Sequence, residues 1–373
     1  MSAIDSITRG RGRQISDRLD HPRDRTARVY LVGMDLDPIS DLGRLADWVL
    51  DRTVLPGYTR IGYSLREHFV ERGPLELAGK TTIVTGASSG IGEATAAGLA
   101  RSGARVLLAV RDRQRGELAQ QRIADSVPGA ELELVLCDLS SLASVREASA
   151  RLLQAEPKID VLINNAGVMP DRRTHTDEGF ELSFATNVLG PFLLTASLLP
   201  ALAAAAALPL SPSRVINVSS GGMYTAGLHL EDLQLEHQEF NGTRFYAHTK
   251  RLEVALSEEW ARRLAGRGIV VHSAHPGWVA TPGVASSLPS FDKLMRPLLR
   301  SPEAGADTII WLAGSPMAAQ NSGAFWHDRR QRPKHRLSST KETAADRAAL
   351  FDRCAELCGL DPDLTIHTPA DLS

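Results

Sequence analysis

Thr81-Thr82-Ile83-Val84-Thr85-Gly86-Ala87-Ser88-Ser89-Gly90-Ile91-Gly92 is the stretch that decides how this chain folds. Its first five residues are all β-branched and read as a short strand. Gly86, Gly90 and Gly92 then allow a tight turn, close backbone approach to a phosphate, and close packing of helix on strand. Ile91–Arg101 reads as a helix, so the strand passes through the glycine turn directly into a helix N-terminus. Free N–H groups and the positive dipole end make that N-terminus a seat for a pyrophosphate.

Outward from this turn the same alternation repeats. Arg105–Val110, Glu131–Cys137, Val161–Asn164, Arg214–Val218 and Ile269–Ser273 read as strands, with helices at Glu117–Ser126 and Leu142–Leu153. Strands alternating with helices mean βαβ units, so the expected fold is α/β: a doubly wound parallel sheet with helices on both faces. The second strand ends at Val110-Arg111-Asp112. An NAD-specific site wants a carboxylate there for the ribose hydroxyls, whereas Arg111 suits a 2′-phosphate. The cofactor expected is therefore NADP(H), with Asp112 keeping NAD(H) as the alternative.

The carboxyl ends of these strands, where open α/β sheets bind ligands, carry a second set of signals. Asn164-Asn165-Ala166-Gly167 ends the fourth, Ser219-Ser220 the fifth, and Pro276-Gly277 follows the sixth. Asn187 lies on the helix after the fourth strand. Tyr246 and Lys250 stand four apart, on one face of a helix, and Tyr246 is the one tyrosine of five with a lysine at that spacing. A cation beside a phenol favours the phenolate, which suits a general acid/base. Each piece alone is common at a strand end or on a solvated helix.

Taken in order, these motifs resemble the short-chain dehydrogenase/reductase family over about residues 76–325. Residues 217–223, 275–278 and 281–284 are similar to a retinol-dehydrogenase-like group within it. The resemblance implies roles residue by residue. Tyr246 would be the acid/base, Lys250 would hold the nicotinamide ribose and tune the phenol, Ser220 would bond the substrate oxygen, and Asn187 would support a water relay. Gly86, Ser88, Ser89, Gly90, Ile91 and Gly92 would surround the pyrophosphate, and Asp138 and Leu139 the adenine. Asn165, Ala166 and Gly167 would lie at the ribose, and Pro276, Gly277, Val279 and Thr281 at the nicotinamide. Two departures stand out. Ser89 occupies a place where some NADP-dependent members carry a basic residue. The gap from Ser220 to Tyr246 inserts Tyr224–Arg244 beside the site; its His229, Glu231, Asp232 and His237 read as a solvated loop, with no metal expected.

The flanks read differently. Residues 1–41 have the composition of a disordered leader, with seven arginines and four aspartates in the first 29 residues. Residues 42–75 form an amphipathic extension. Its apolar stripe packs on the main domain in the plainer reading, or touches a membrane surface through 42–72 in the functional one. The main domain is expected over 76–330, and a polar tail with a last helix, Glu342–Leu357, over 331–373.

A net charge of −2 argues against a nucleic-acid partner. Three cysteines are too few for a disulfide framework, which points to the cytoplasm, and Cys354 and Cys358 read as core. The resemblance implies an oxidoreductase that interconverts a carbonyl and an alcohol, here expected on an apolar small molecule, lipid, steroid or retinoid-like. The apolar substrate is expected from Val284, Leu288, Phe291, Leu294, Met295 and Leu298, and the family resemblance implies a homo-oligomer. The reading from another class is an NADP(H) sensor or scaffold with little catalysis.

Overall fold

The computed structural model describes residues 47–70, 73–206 and 211–363. The expected leader, 1–41, lies outside the described residues. The strands are β1 (Thr81–Thr85), β2 (Arg105–Val110), β3 (Leu132–Leu136), β4 (Val161–Asn164), β5 (Ser213–Val218), β6 (Ile269–Ala274), β7 (Phe325–His327) and β8 (Arg330–Arg332). They form one sheet in the order β3-β2-β1-β4-β5-β6-β7-β8. Every pairing is parallel except that of β7 with β8. The order reverses direction between β1 and β4, and this is the switch point where such sheets open a crevice.

Two apolar layers cover the sheet, because alternate side chains of a strand face opposite sides. Ile83 and Leu107 join a core with Phe192, Leu252 and Phe351. Val84 and Leu108 join another with Leu99, Ile309 and Trp311. The first layer includes α6 (Gly190–Ala206), α7 (Gly242–Arg263) and α11 (Ala344–Leu357). Phe192, Trp260 and Phe351 meet there at ring separations of 4.7–5.1 Å. Cys354 and Cys358 are fully buried in this layer, as expected of core residues. The run Leu182–Ala206 is long and apolar enough to cross a membrane, yet most of it is buried inside the protein. Its length serves the sheet: it spans the core and carries Asn187 in a π-turn, Ala185–Leu189. The second layer rests on α3 (Gly90–Arg101) and α10 (Pro302–Gly314). They pack closely at Gly98, where a Cβ would lie 2.2 Å from Ile310 Cδ1.

Several boundaries differ from the sequence reading. Helix α4 (Arg113–Ser126) starts four residues early because the Asp112 carboxylate accepts a hydrogen bond from Arg115 N at 2.9 Å and caps it. Between β3 and β4 lies α5 (Leu142–Ala155). The stretch 282–300 holds α8 (Pro282–Ser287), capped by Thr281, and α9 (Pro289–Met295). Strand β8 runs across the boundary expected at 330/331, so the sheet continues into the expected tail.

The extension consists of a helical stretch 47–52, α1 (Val54–Tyr58) and α2 (Arg60–Arg66). Among the described residues the apolar stripe turns inward only in part: Leu50 and Tyr58 are buried, but Trp48, Val49, Ile61, Leu65 and Phe69 face solvent. Buried ion pairs also tie the extension to the domain. Buried Arg66 pairs with Asp47 at 2.8 Å and with Asp328 at 2.7 Å, and Arg332 of β8 pairs with Asp47 at 2.7 Å.

Candidate active site

The glycine turn is built as its sequence requires. Gly86 and Gly90 have φ of 66° and 58°, the left-handed region that glycine alone adopts freely. A side chain at Gly92 would lie 2.3 Å from Gly86 O and 2.5 Å from Asn165 Nδ2. Asn165 braces this cradle, its Nδ2 donating to Thr85 O at 2.9 Å and its backbone N to Thr85 Oγ1 at 3.0 Å. Ser89 enters α3 with no side-chain capping bond, which leaves its hydroxyl available. Such a cradle at a helix N-terminus fits a dinucleotide pyrophosphate.

From the cradle a single cleft of about 1830 Å³ runs along the carboxyl ends of the strands. A pocket for one drug-sized molecule takes roughly 300–1,000 Å³, so this cleft has room for a dinucleotide and a second molecule. Ser88, Ser89 and Ile91 line it beside the glycines, and Asp138 and Leu139 line it as well. Asp138 is partly committed, since its Oδ1 accepts from Ser140 N and Oγ at 2.9 and 2.7 Å. Arg111 is there too, joined by Arg115, which the sequence reading missed. Arg115 sits in the first turn of α4, just past the end of β2, and its closeness to that strand end is the signal that could have found it. Neither guanidinium has a partner among the described residues. Asp112, held open above as an NAD ligand, spends its carboxylate on the cap of α4.

The other end of the cleft gathers the remaining motifs. Ala166, Gly167, Pro276, Gly277, Val279 and Thr281 line it, together with Ser220, Tyr246 and Lys250. Lys250 Nζ donates to Val218 O at 2.8 Å and sits 5.4 Å from the Tyr246 ring centre. Gly167 keeps this approach clear, because a Cβ there would stand 3.3 Å from Lys250 Nζ and 3.5 Å from Asn187 Oδ1. Asn187 does not line the cleft. It is fully buried, accepting from Val168 N at 2.8 Å and donating to Thr249 Oγ1 at 3.0 Å, so it ties the end of β4 to α7.

Glu253 is the feature the sequence reading passed over. It stands one turn beyond Lys250 on α7, and its Oε1 accepts from Nζ at 2.7 Å with both side chains buried. Its Oε2 has no hydrogen-bond partner. Burial holds the Glu253 carboxyl up, to about 7, against the pull of Lys250. The same pair overturns a simple expectation for Tyr246. Burial raises its phenol above 10; Lys250 and a hydrogen bond with Ser220 lower it, and Glu253 raises it again. The lysine does tune the phenol in the expected direction, but it is outweighed.

Of the six apolar residues expected at the substrate end, Val284, Leu288 and Phe291 line the cleft. Leu294 points into solvent, Met295 is buried, and neither it nor Leu298 reaches the cleft. The insertion 224–244 is more than a solvated loop. Leu228, Leu233 and Leu235 are buried, and His229, Leu235 and Phe240 line the cleft. Buried His248 of α7 lies 3.0 Å from the carbonyls of both Gly227 and Leu233 and anchors it.

A switch-point crevice with a glycine cradle and a Ser, Tyr, Lys cluster defines a dinucleotide-dependent oxidoreductase of the doubly wound class. Residues 80–290 match the short chain dehydrogenase family. The chain is 41% identical, over 80% of its own length and 93% of the relative's, to dehydrogenase/reductase SDR family member 12 of Bos taurus. It is 35% identical to retinol dehydrogenase 13 of Homo sapiens over 76% of its length and 86% of that protein's. Among solved structures, the Pseudomonas aeruginosa RhlG/NADP active-site complex superposes with a TM-score of 0.57 at 27% identity. That match covers 68% of this chain and 96% of the other. The chain belongs to the short-chain dehydrogenase/reductase family. Within it, residues 217–223, 275–278 and 281–284 are similar to the member 12 group.

Proposed function

We propose that the protein interconverts a carbonyl and an alcohol on an apolar small molecule, with NADP(H) as hydride carrier. The observation that carries this reading is the convergence of Ser220, Tyr246 and Lys250 on the cleft that also holds the glycine cradle. The nicotinamide, when bound, supplies or accepts the hydride. Ser220 donates its hydroxyl hydrogen to the substrate oxygen and fixes its position. Tyr246 gives its phenol proton to that oxygen in reduction and takes it back in oxidation. Lys250 stabilises the phenolate left behind, and Asn187 holds the backbone around it in register.

Arg111 and Arg115 support NADP(H), since two guanidiniums at the adenosine end without a partner among the described residues suit a 2′-phosphate. Met169, Phe240, Trp278 and Phe291 along the cleft support an apolar substrate, as does similarity to proteins named retinol dehydrogenases. The outward face of the extension, with Trp48, Ile61 and Leu65 exposed, supports peripheral contact with a membrane surface.

The test is a screen of decanal, cyclohexanone and retinal with NADPH and with NADH. NADPH should bind more tightly. Arg111→Ala with Arg115→Ala should weaken NADPH by about 1.5–3 kcal/mol and barely touch NADH. Tyr246→Phe should keep cofactor binding and lose roughly 10²–10⁴-fold in turnover. Equal affinity for the two cofactors defeats the cofactor assignment, and full activity of Tyr246→Phe defeats the chemistry.

A further inference from the structure

Ser220 sits at the entry to a 3₁₀ turn, Gly221–Thr225, and one residue packed behind that turn comes from outside the family domain. The next backbone group, Gly221 N–H, donates to His275 Nδ1 at 3.1 Å. That bond makes Nδ1 an acceptor, so the neutral ring carries its proton on Nε2. Burial keeps the ring neutral, pushing its pKa well below the ordinary histidine value, with the charges of His327 and Arg300 acting the same way. Its Nε2 is buried and has no hydrogen-bond partner. The Tyr58 ring packs perpendicular to His275, 4.4 Å between centres at 78°. The three residues leave no slack. A Cβ at Gly221 would fall 2.6 Å from Tyr58 Cε2 and 3.0 Å from His275 Nε2.

Tyr58 also reaches the other wall of the site. Its carbonyl accepts from Trp278 N at 2.8 Å and from Arg300 Nε at 3.0 Å. Arg300 is buried, pairs with Asp328, and passes beneath Gly277, where a Cβ would lie 2.3 Å from Nε. One residue of the extension therefore abuts the serine turn with its ring and holds the segment after Pro276 with its backbone.

We propose that Tyr58 is a positioning residue of the active site: through His275 and Gly221 its ring sets the place of the Ser220 hydroxyl. The assignment rests on Ser220 as the group that binds the substrate oxygen. The extension is then a working part of the enzyme and not a cover.

The experiment is a double-mutant cycle in the full chain, with decanal and NADPH as probes. Tyr58→Phe keeps the ring and should stay within about twofold of the parent. Tyr58→Leu should lower kcat by about tenfold with NADPH Kd changed less than about twofold. In a Ser220→Ala background Tyr58→Leu should cost nothing further, because residues acting through one another are not additive. An equal loss in both backgrounds, or no loss in the first, overturns the proposal. Full activity of Ser220→Ala alone instead defeats the reading of the site. Gly221→Ala, which drives a methyl into the Tyr58 ring, covers the case of a Tyr58→Leu chain that does not fold. It should also lower kcat by about tenfold, and unchanged turnover counts against us. Imidazole ¹⁵N spectra give a readout free of turnover: His275 should be the Nε2–H form, and the Nδ1–H form overturns the argument.

Discussion

Glu253 works against the tuning that Lys250 gives to Tyr246, and a single substitution separates the two effects. Glu253→Gln keeps the size and the hydrogen bond and removes the negative charge. The Tyr246 phenol should then ionise more readily, so the rise of the oxidative rate with pH should set in at lower pH than in the parent. A rise at the same or higher pH speaks against this. The stability has its own sign. The folded carboxyl is held up to about 7 while an unfolded glutamate titrates near roughly 4.3. A raised folded value means stability is complete below the unfolded pKa and is lost as pH climbs through the folded one. The melting temperature of Glu253→Gln relative to the parent should therefore increase between pH 5 and pH 8. A difference that stays flat over that range shows that Glu253 ionises normally.

At the scale of an element, the extension has two faces with different physics. The inner face is seated by buried charge. Asp328 is surrounded by Arg66 and Arg300. Burial alone would raise this carboxyl, but His327, Arg300 and Arg66 hold it far below the ordinary range. The outer face exposes Trp48, Val49, Ile61 and Leu65, with Arg52 stacked 4.0 Å over the Trp48 ring. An aromatic and aliphatic face flanked by arginine suits a bilayer interface. Sedimentation with anionic liposomes should carry the parent down, and Trp48→Ser with Ile61→Ser and Leu65→Ser should remain in solution with turnover intact. Equal sedimentation of the two excludes this face as the contact.

At the scale of the molecule, the sheet, the cleft and the charged network all lie within residues 47–363. Removal of residues 1–41 should leave the melting temperature and turnover near those of the parent. Removal through residue 75 takes away Tyr58, Asp47 and Arg66 together. It leaves Asp328 and Arg300 to each other and opens the wall behind His275. Stripping one partner from a buried charge cluster costs about 3–5 kcal/mol, so this shorter chain should melt much lower. If the two truncations melt alike, the extension holds nothing.

What the sequence determined by itself is everything written in short spacings. Five β-branched residues before a glycine turn specify strand, loop and helix because sterics act within a few residues. Tyr246 and Lys250 meet because a helix turns every 3.6 residues. Alternating strands and helices imply a doubly wound sheet, and the handedness of βαβ units leaves few topologies for it. The tertiary structure alone decided the rest, since the deciding partners are far apart along the chain. Arg332 and Asp47 are 285 residues apart and meet at 2.7 Å, and nothing local to either announces the other. The apolar stripe of 42–72 looked like a core face, but the fold gave its burial to Tyr58 and Arg66 because Asp328 and His275 waited there. The Tyr246 pKa followed the same rule: a lysine four residues away is legible, whereas dielectric and a buried counter-charge exist only once the chain has closed around them.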